Sequence, residues 1–305
     1  MIQIEQRHDL GWRTAWKLSN DLIELVVPED VGPRVIHLGC PGGSNLFAKL
    51  PDFQGPGAEE AWRIYGGHRL WHSPEDALRT YYPDNRLVHV EPTAAGLIVQ
   101  QETESTTQLQ KSLEIVLNAQ SVTVIHRIRN NSLWPLRYAA WAISAMAPGG
   151  TAFTRLRTKK SDTPYLSDLG VNIWPHTSMA DSRALWGDQY FMLRQDTNVH
   201  QPFKVGLAND VHWVAYQNGS SLFIKSFDKD PVAMYPDNNS SIALYTCDQF
   251  SEIETLSPLR EVNPGETVTH SERWHLLSVD QPLTDLDENR LAAMSWLADL
   301  YHVVG

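Results

Sequence analysis

The sequence predicts an all-β protein with few short helices and one helix at its C-terminus. Three observations predict it. Short runs of alternating apolar and polar residues recur along the chain, turn residues separate them, and helical periodicity is confined to two places. The runs are, in order, WKLSNDLIELVVP, RVIHLGC, RLVHVEP, GLIVQQET, KSLEIVLN, SVTVIHRIRN, HWVAYQNGSSLFIKSF, SIALYTC and TVTHSERWHLLSV. The alternation is plainest in Val122, Val124, His126 and Ile128 against Thr123, Ile125, Arg127 and Arg129, as expected of a strand with one buried face. Asn218 to Ser221, between two apolar runs, reads as a hairpin turn. A short helix is expected from Ser73, with Pro74, Glu75 and Asp76 in its first turn and Pro83 closing it. A longer one is expected from about Asp285 to Tyr301, where Leu291, Met294, Leu297 and Tyr301 or Val304 form an apolar stripe. No linker of low complexity divides the chain and no fixed-period repeat is visible, so residues 1–305 are expected to form one domain, a sandwich or a barrel with the last helix packed on it.

Composition narrows the function. The net charge is −11 and the isoelectric point about 5.5, which disfavours nucleic acid and anionic membrane as partners. The two cysteines, Cys40 and Cys247, are too few for a disulfide framework or a four-cysteine zinc site. MIQIEQRHDLGW lacks the basic start and apolar run of a secretion signal, and no stretch reaches the roughly 20 apolar residues of a membrane span. The expectation is a cytoplasmic protein without cofactor, a monomer or homodimer. Eleven Trp and ten Tyr, several beside His, Arg or Asp, suit a small sugar or oligosaccharide, whose rings offer C–H faces to aromatics and hydroxyls to polar groups.

Two stretches carry the candidate chemistry. Residues 65 to 75 read YGGHRLWHSPE. The glycines and the helix start at Ser73 make HRLWH extended chain, with His68, Leu70 and His72 on one face and Arg69 and Trp71 on the other. Residues 250 to 276 read FSEIETLSPLREVNPGETVTHSERWHL, and a strand there turns Glu252 and Glu254 to the same side. Crowded in a cleft, one of the two carboxyls would be raised toward neutral pH and prepared for proton transfer. Two or three of the histidines with Glu254 are also a conceivable zinc set, but Arg69 beside them repels a cation, so no metal is expected.

These motifs resemble the galactose-mutarotase or aldose 1-epimerase family. Glu254-Thr255, the following proline and Pro264-Gly265-Glu266 before a last strand are similar to that family's C-terminal segment. YGGHRLWHSPE, WAISAMAPGG at 141 to 150, WPHTSMADSR at 174 to 183, KVG at 204 to 206, YPDN at 235 to 238 and EIETLSPL at 252 to 259 together resemble an uncharacterised bacterial branch of galactose-mutarotase-like proteins. The resemblance implies a galactose-mutarotase-like β-supersandwich binding sugars on its open face. It implies an isomerase acting by acid/base chemistry at the anomeric carbon, with Glu254 as base and His68 or His72 as acid. Arg69, Trp71, Trp141, His176, Asp181 and Arg183 are expected as sugar contacts, Trp174 joins His176, Asp181 and Arg183 as a mixture suited to hydroxyl recognition, and Lys204, Tyr235 and Asp237 are weaker candidates. Trp141 stands where that family carries the histidine that protonates the ring oxygen. A saccharide-binding protein without turnover is therefore the competing expectation, and a sandwich related to polysaccharide lyases a third.

Overall fold

The computed structural model describes residues 1–304 other than 9, 51–60, 158–164 and 166. Three antiparallel sheets make up most of it, and the two larger ones face each other. The first of these has the strand order 170–173, 203–208, 242–246, 251–256, 136–146, 67–73 and 34–35, with 260–262 pairing beside 136–138. The second runs 184–186, 190–194, 151–155, 213–218, 221–227, 267–278, 122–130, 109–117, 96–100 and 89–92. A smaller sheet of 3–7, 15–19, 24–28 and 37–39 lies at the N-terminal side. Both expectations of an all-β sandwich and of a C-terminal helix hold.

The sequence pattern explains the layers. Leu109–Leu117 and Val122–Asn130 alternate between buried and half-buried positions along their whole length, as the period of two demands. The hairpin of Trp213–Asn218 and Ser221–Phe227 closes with Asn218 opposite Ser221, and Gly219 takes the left-handed φ of +57° with open space around it. The C-terminal helix, Glu288–Val304, docks on the outside of the second sheet. Leu291, Met294 and Ala298 are buried, Tyr301 stacks on His275 with ring centroids 4.4 Å apart, and Arg155 bridges to Asp299 at 3.2 Å. The side chain of Val304 lies outside the described residues.

The expected helix at Ser73 does not form. Ser73 ends the strand Gly67–Ser73, and the chain instead makes one turn in which the Asp76 carboxylate accepts from the backbone of Leu78 and Arg79, both at 3.0 Å. The acid expected in the first turn of a helix thus serves as an Asx-type cap of a turn. The turn delivers Tyr81 against Trp62 and Trp71, with centroids 5.2 and 5.0 Å away.

Between the two large sheets sits a polar cluster rather than a purely apolar core. Lys225, fully buried, reaches from the second sheet to the carbonyls of Ala142 (3.0 Å) and Ile253 (3.2 Å) in the first and pairs with the buried Glu272 at 2.9 Å. Trp274 Nε1 donates to the other Glu272 oxygen at 2.8 Å, and Thr255 Oγ1 donates to the first. Burial alone would drive Glu272 up, yet the Lys225 ammonium and its other neighbours hold it below its ordinary value. Breaking such a pair leaves a charge stranded in low dielectric. Lys225→Met is therefore expected to lower stability in urea by about 3–5 kcal/mol, and Lys225→Met with Glu272→Gln to recover at least half of that. A loss below ~1 kcal/mol for the single variant would show that the pair does not hold the sheets together.

Candidate sugar-binding cavity

The outer face of the first sheet is built row by row from strand register. Opposed residues of an antiparallel sheet share a face. One row crosses Lys204, Tyr245, Glu252, Ala145 and Gly67; the next crosses Gly206, Ala243, Glu254, Ile143 and Arg69; the third crosses Leu256, Trp141 and Trp71. Small residues in the first two rows leave a floor, and loops raise its walls. The result is a cavity of about 410 Å³. Its aromatic lining comes from Trp62, Trp71, Tyr81, Trp141, Trp174, Tyr245 and Phe250, and its polar lining from Arg69, Glu75, His176, Lys204 and Glu252.

Charges on the floor pair diagonally between rows. Arg69 Nη2 donates to Glu252 at 2.9 Å while its guanidinium stacks 4.4 Å from the Trp71 ring. Arg69 Nε and Nη1 are buried without a partner among the described residues. Lys204 Nζ lies 3.1 Å from Glu254 Oε2, 4.5 Å from the Trp141 ring centre and 4.9 Å from that of Trp174. The Trp141 indole donates to the same Glu254 oxygen at 2.9 Å. Glu254 is fully buried just beneath the floor, and burial pushes its carboxyl up despite Lys204, with Glu252 adding to the rise. His176 on the wall is held below its ordinary value by burial and then by Lys204.

The KVG motif is explained here. Lys204 reaches the floor, and a Cβ on Gly206 would come within 2.5 Å of Ser240 Oγ and 3.2 Å of Trp174. Glycine makes the space in which the Trp174 indole rests.

Of the residues expected at the site, Arg69, Trp71, Trp141 and His176 line the cavity, and Glu254 lies beneath it. His68 and His72 do not converge with them. The strand Gly67–Ser73 alternates without a bulge, so sending Arg69 and Trp71 outward sends both histidines into the space between the sheets. Asp181 and Arg183 are elsewhere too: Arg183 binds Asp181 through Nε (3.1 Å) and Nη2 (2.8 Å) and the carbonyl of Val199 at 3.3 Å, bracing a loop. Trp62 and Tyr81 join the cavity from segments with no motif of their own, and Tyr245 and Phe250 from strand segments read for other residues. Only register and loop packing bring them there.

His68 belongs to the buried cluster. Ser144 Oγ accepts from Lys225 at 3.3 Å and gives its proton to His68 Nδ1 at 2.8 Å. His68 Nε2 then donates to His126 Nε2 at 2.7 Å, and His126 Nδ1 to the His270 carbonyl at 2.9 Å. This proton assignment follows from the network. His68, His126 and Glu272 bring three ligand atoms within 4.8 Å of one another. The donor set fits a cation poorly, because the ring nitrogens already bond each other and the Lys225 ammonium occupies the carboxylate.

No protein-family model and no curated protein matches the sequence. Solved structures do resemble it. A galactose mutarotase-like protein from Lactobacillus casei aligns over 86% of this chain and 99% of its own at TM-score 0.56 and 9% identity. One from Clostridium acetobutylicum aligns over 91% and 99% at TM-score 0.54 and 11% identity. A TPR-domain containing protein from Parabacteroides distasonis aligns over 90% of this chain at TM-score 0.58 and 15% identity, and there the chain spans about half, 48%, of the other's length. The chain has the galactose mutarotase-like fold. Among the described residues no helix is long and apolar enough to cross a membrane.

Burial has a consequence for stability. It lowers His68 and His126 and brings His72 and His270 to about 3, against about 6.5 in an unfolded chain. Unfolding then takes up protons below pH 6.5, so the stability these neutral histidines contribute is complete above that pH and lost as the pH falls, for His72 and His270 by about 1.4 kcal/mol per unit each down toward pH 3. The urea midpoint is expected to be level near pH 7 to 8 and to fall steadily from pH 6.5 to 4. A midpoint unchanged down to pH 4.5 would contradict the buried, neutral assignment.

Proposed function

We propose that the cavity binds a saccharide, with residues 1–305 acting as one carbohydrate-binding unit. The observation that carries this is the unmet hydrogen-bonding capacity of an aromatic cavity. Arg69 is fixed by Glu252 and Trp71, yet two of its nitrogens have no partner among the described residues, and buried donors left so cost about 1–3 kcal/mol each. Sugar hydroxyls meet such donors, while Trp62, Trp71 and Tyr81 offer rings to the C–H face. A volume of about 410 Å³ falls within the range of small-molecule sites. The mutarotase-like names of structures with this fold support the same class of ligand.

A second reading, turnover at the anomeric carbon, is favoured by one contact. Lys204 faces the cavity and Glu254, with its raised carboxyl, stands 3.1 Å behind it. In this reading Lys204 touches the sugar and gives a proton to the ring oxygen. Glu254 acts as the base the family resemblance implies, and accepts the anomeric proton through Lys204. Ring opening to the aldehyde and reclosure return both protons, so the anomers interconvert with no net change.

The two readings part in one experiment. Hexoses, pentoses and uronic acids are screened by calorimetry for binding and by NMR for anomer exchange. A sugar that binds wild type and exchanges faster in its presence supports turnover, and Glu254→Gln is then expected to slow exchange by about 10²–10⁴ while binding persists. Binding without exchange leaves the saccharide-binding reading alone. Neither binding nor exchange across the panel overturns both.

A further inference from the structure

A smaller cleft of about 200 Å³ adjoins the cavity, and Trp174 lines both. The cleft is completed by Asn172, Ile173, Pro175, Asp237 and Asn238. From these residues we infer a second sugar subsite on the far side of Trp174, so that the ligand is an oligosaccharide of at least two rings rather than a single monosaccharide. The inference rests on the saccharide-binding reading of the main cavity and extends it along the surface.

One feature shapes this cleft and a second points to a ligand. Asp237, Asn238 and Asn239 all take left-handed conformations, with φ of 48°, 54° and 71°. Side-chain-bearing residues seldom do so, and a run of three persists only where its surroundings hold it. The holding groups are visible. Asn172 Nδ2 donates to Ser240 Oγ at 2.9 Å and to the Asn238 carbonyl at 3.3 Å, Ser240 Oγ donates to the Asp237 carbonyl at 2.9 Å, and Tyr235 N donates to Asn239 Oδ1 at 2.9 Å. All of these fix backbone or neighbouring side chains. None engages the Asp237 carboxylate.

That carboxylate is the second feature. Among the described residues nothing donates a hydrogen bond to it, although Asp237 is half-buried and lines the cleft. Burial, and beyond it Glu75, pushes the group above its ordinary value, only partly offset by Lys204. A half-buried carboxylate without a donor is suited to accept from two vicinal hydroxyls, and the Asn238 amide beside it is exposed and able to donate and accept. Ile173, exposed on the same cleft, and Pro175 supply an apolar rim for the C–H side of the ring. Trp174 is fixed between the two spaces by the Lys204 ammonium 4.9 Å from its ring centre and by Gly206, where any Cβ would crowd it. Three motifs of the sequence, WPHTSMADSR, KVG and YPDN, thereby meet at one corner of the site.

The test compares ligand length in the full chain by calorimetry. Glucose, galactose and glucuronate are titrated alongside the disaccharides and trisaccharides built from each. The disaccharide of the preferred sugar is expected to bind at least tenfold more tightly than its monomer, and Asp237→Asn to remove most of that gain. Asparagine tolerates the left-handed backbone, so the loss would not come from refolding the turn. Circular dichroism and an unchanged urea midpoint check this, and Asn238→Gly, which also tolerates the left-handed backbone, gives a second, milder loss. A disaccharide no tighter than its monomer, or a gain that survives Asp237→Asn, overturns the subsite and leaves the main cavity standing. No binding by any sugar, long or short, overturns the saccharide reading itself and the subsite with it.

Discussion

A strand has two faces, and the chemistry of this molecule is divided by which residues the strand Gly67–Ser73 sends to each. Because the alternation is unbroken, Arg69 and Trp71 go to the open face while His68 and His72 go inward. The same rule acts on Ser251–Leu256, which turns Glu252 and Glu254 outward and Thr255 into the buried cluster. Two polar systems result, back to back across one sheet. The outer one has unmet donors and an aromatic lining. The inner one is a wired network in which Lys225 and Glu272 neutralise each other and the histidines of its chain stay uncharged.

The inner network carries the residue types usual in an active site. It holds several histidines, a carboxylate and an amine, fully buried. Yet its groups bond one another, from Lys225 through Ser144 and His68 to His126, and the cavity lies on the other side of the sheet. Buried ionic clusters of this kind add little net stability over apolar packing, but they penalise any arrangement that separates the partners. Here such a separation would mean sliding the two large sheets past each other, since Lys225 bonds carbonyls of the opposite sheet.

Much of the fold was legible because period-two alternation is a local property. Val122–Asn130, the hairpin through Gly219 and the last helix follow from their own residues. The candidate site was legible where a motif coincides with a floor row, at Arg69, Trp71, Trp141, Lys204 and Glu254, and on the wall at Trp174 and His176. His68 and His72 were drawn into it by residue type, although the alternation read from the same segment already opposed them to Arg69. Tyr245, and Glu252 paired beside it, meet Lys204 through a pairing between strands about 40 residues apart, and register over that distance is not written in any one segment. Tyr81 and Trp62 enter from loops, Tyr81 just after the turn at Asp76, a residue expected in the first turn of a helix starting at Ser73.

The account depends on the ligand lying on the outer face. A crystal structure with the tightest-binding saccharide tests this most directly. The predicted result is a sugar ring against Trp71 or Trp62, its hydroxyls within hydrogen-bonding distance of Arg69 Nε or Nη1 and of Lys204, with His68 still bonded to His126 between the sheets. A sugar bound away from this cavity, or one whose binding opens the sheets to reach His68, would contradict it.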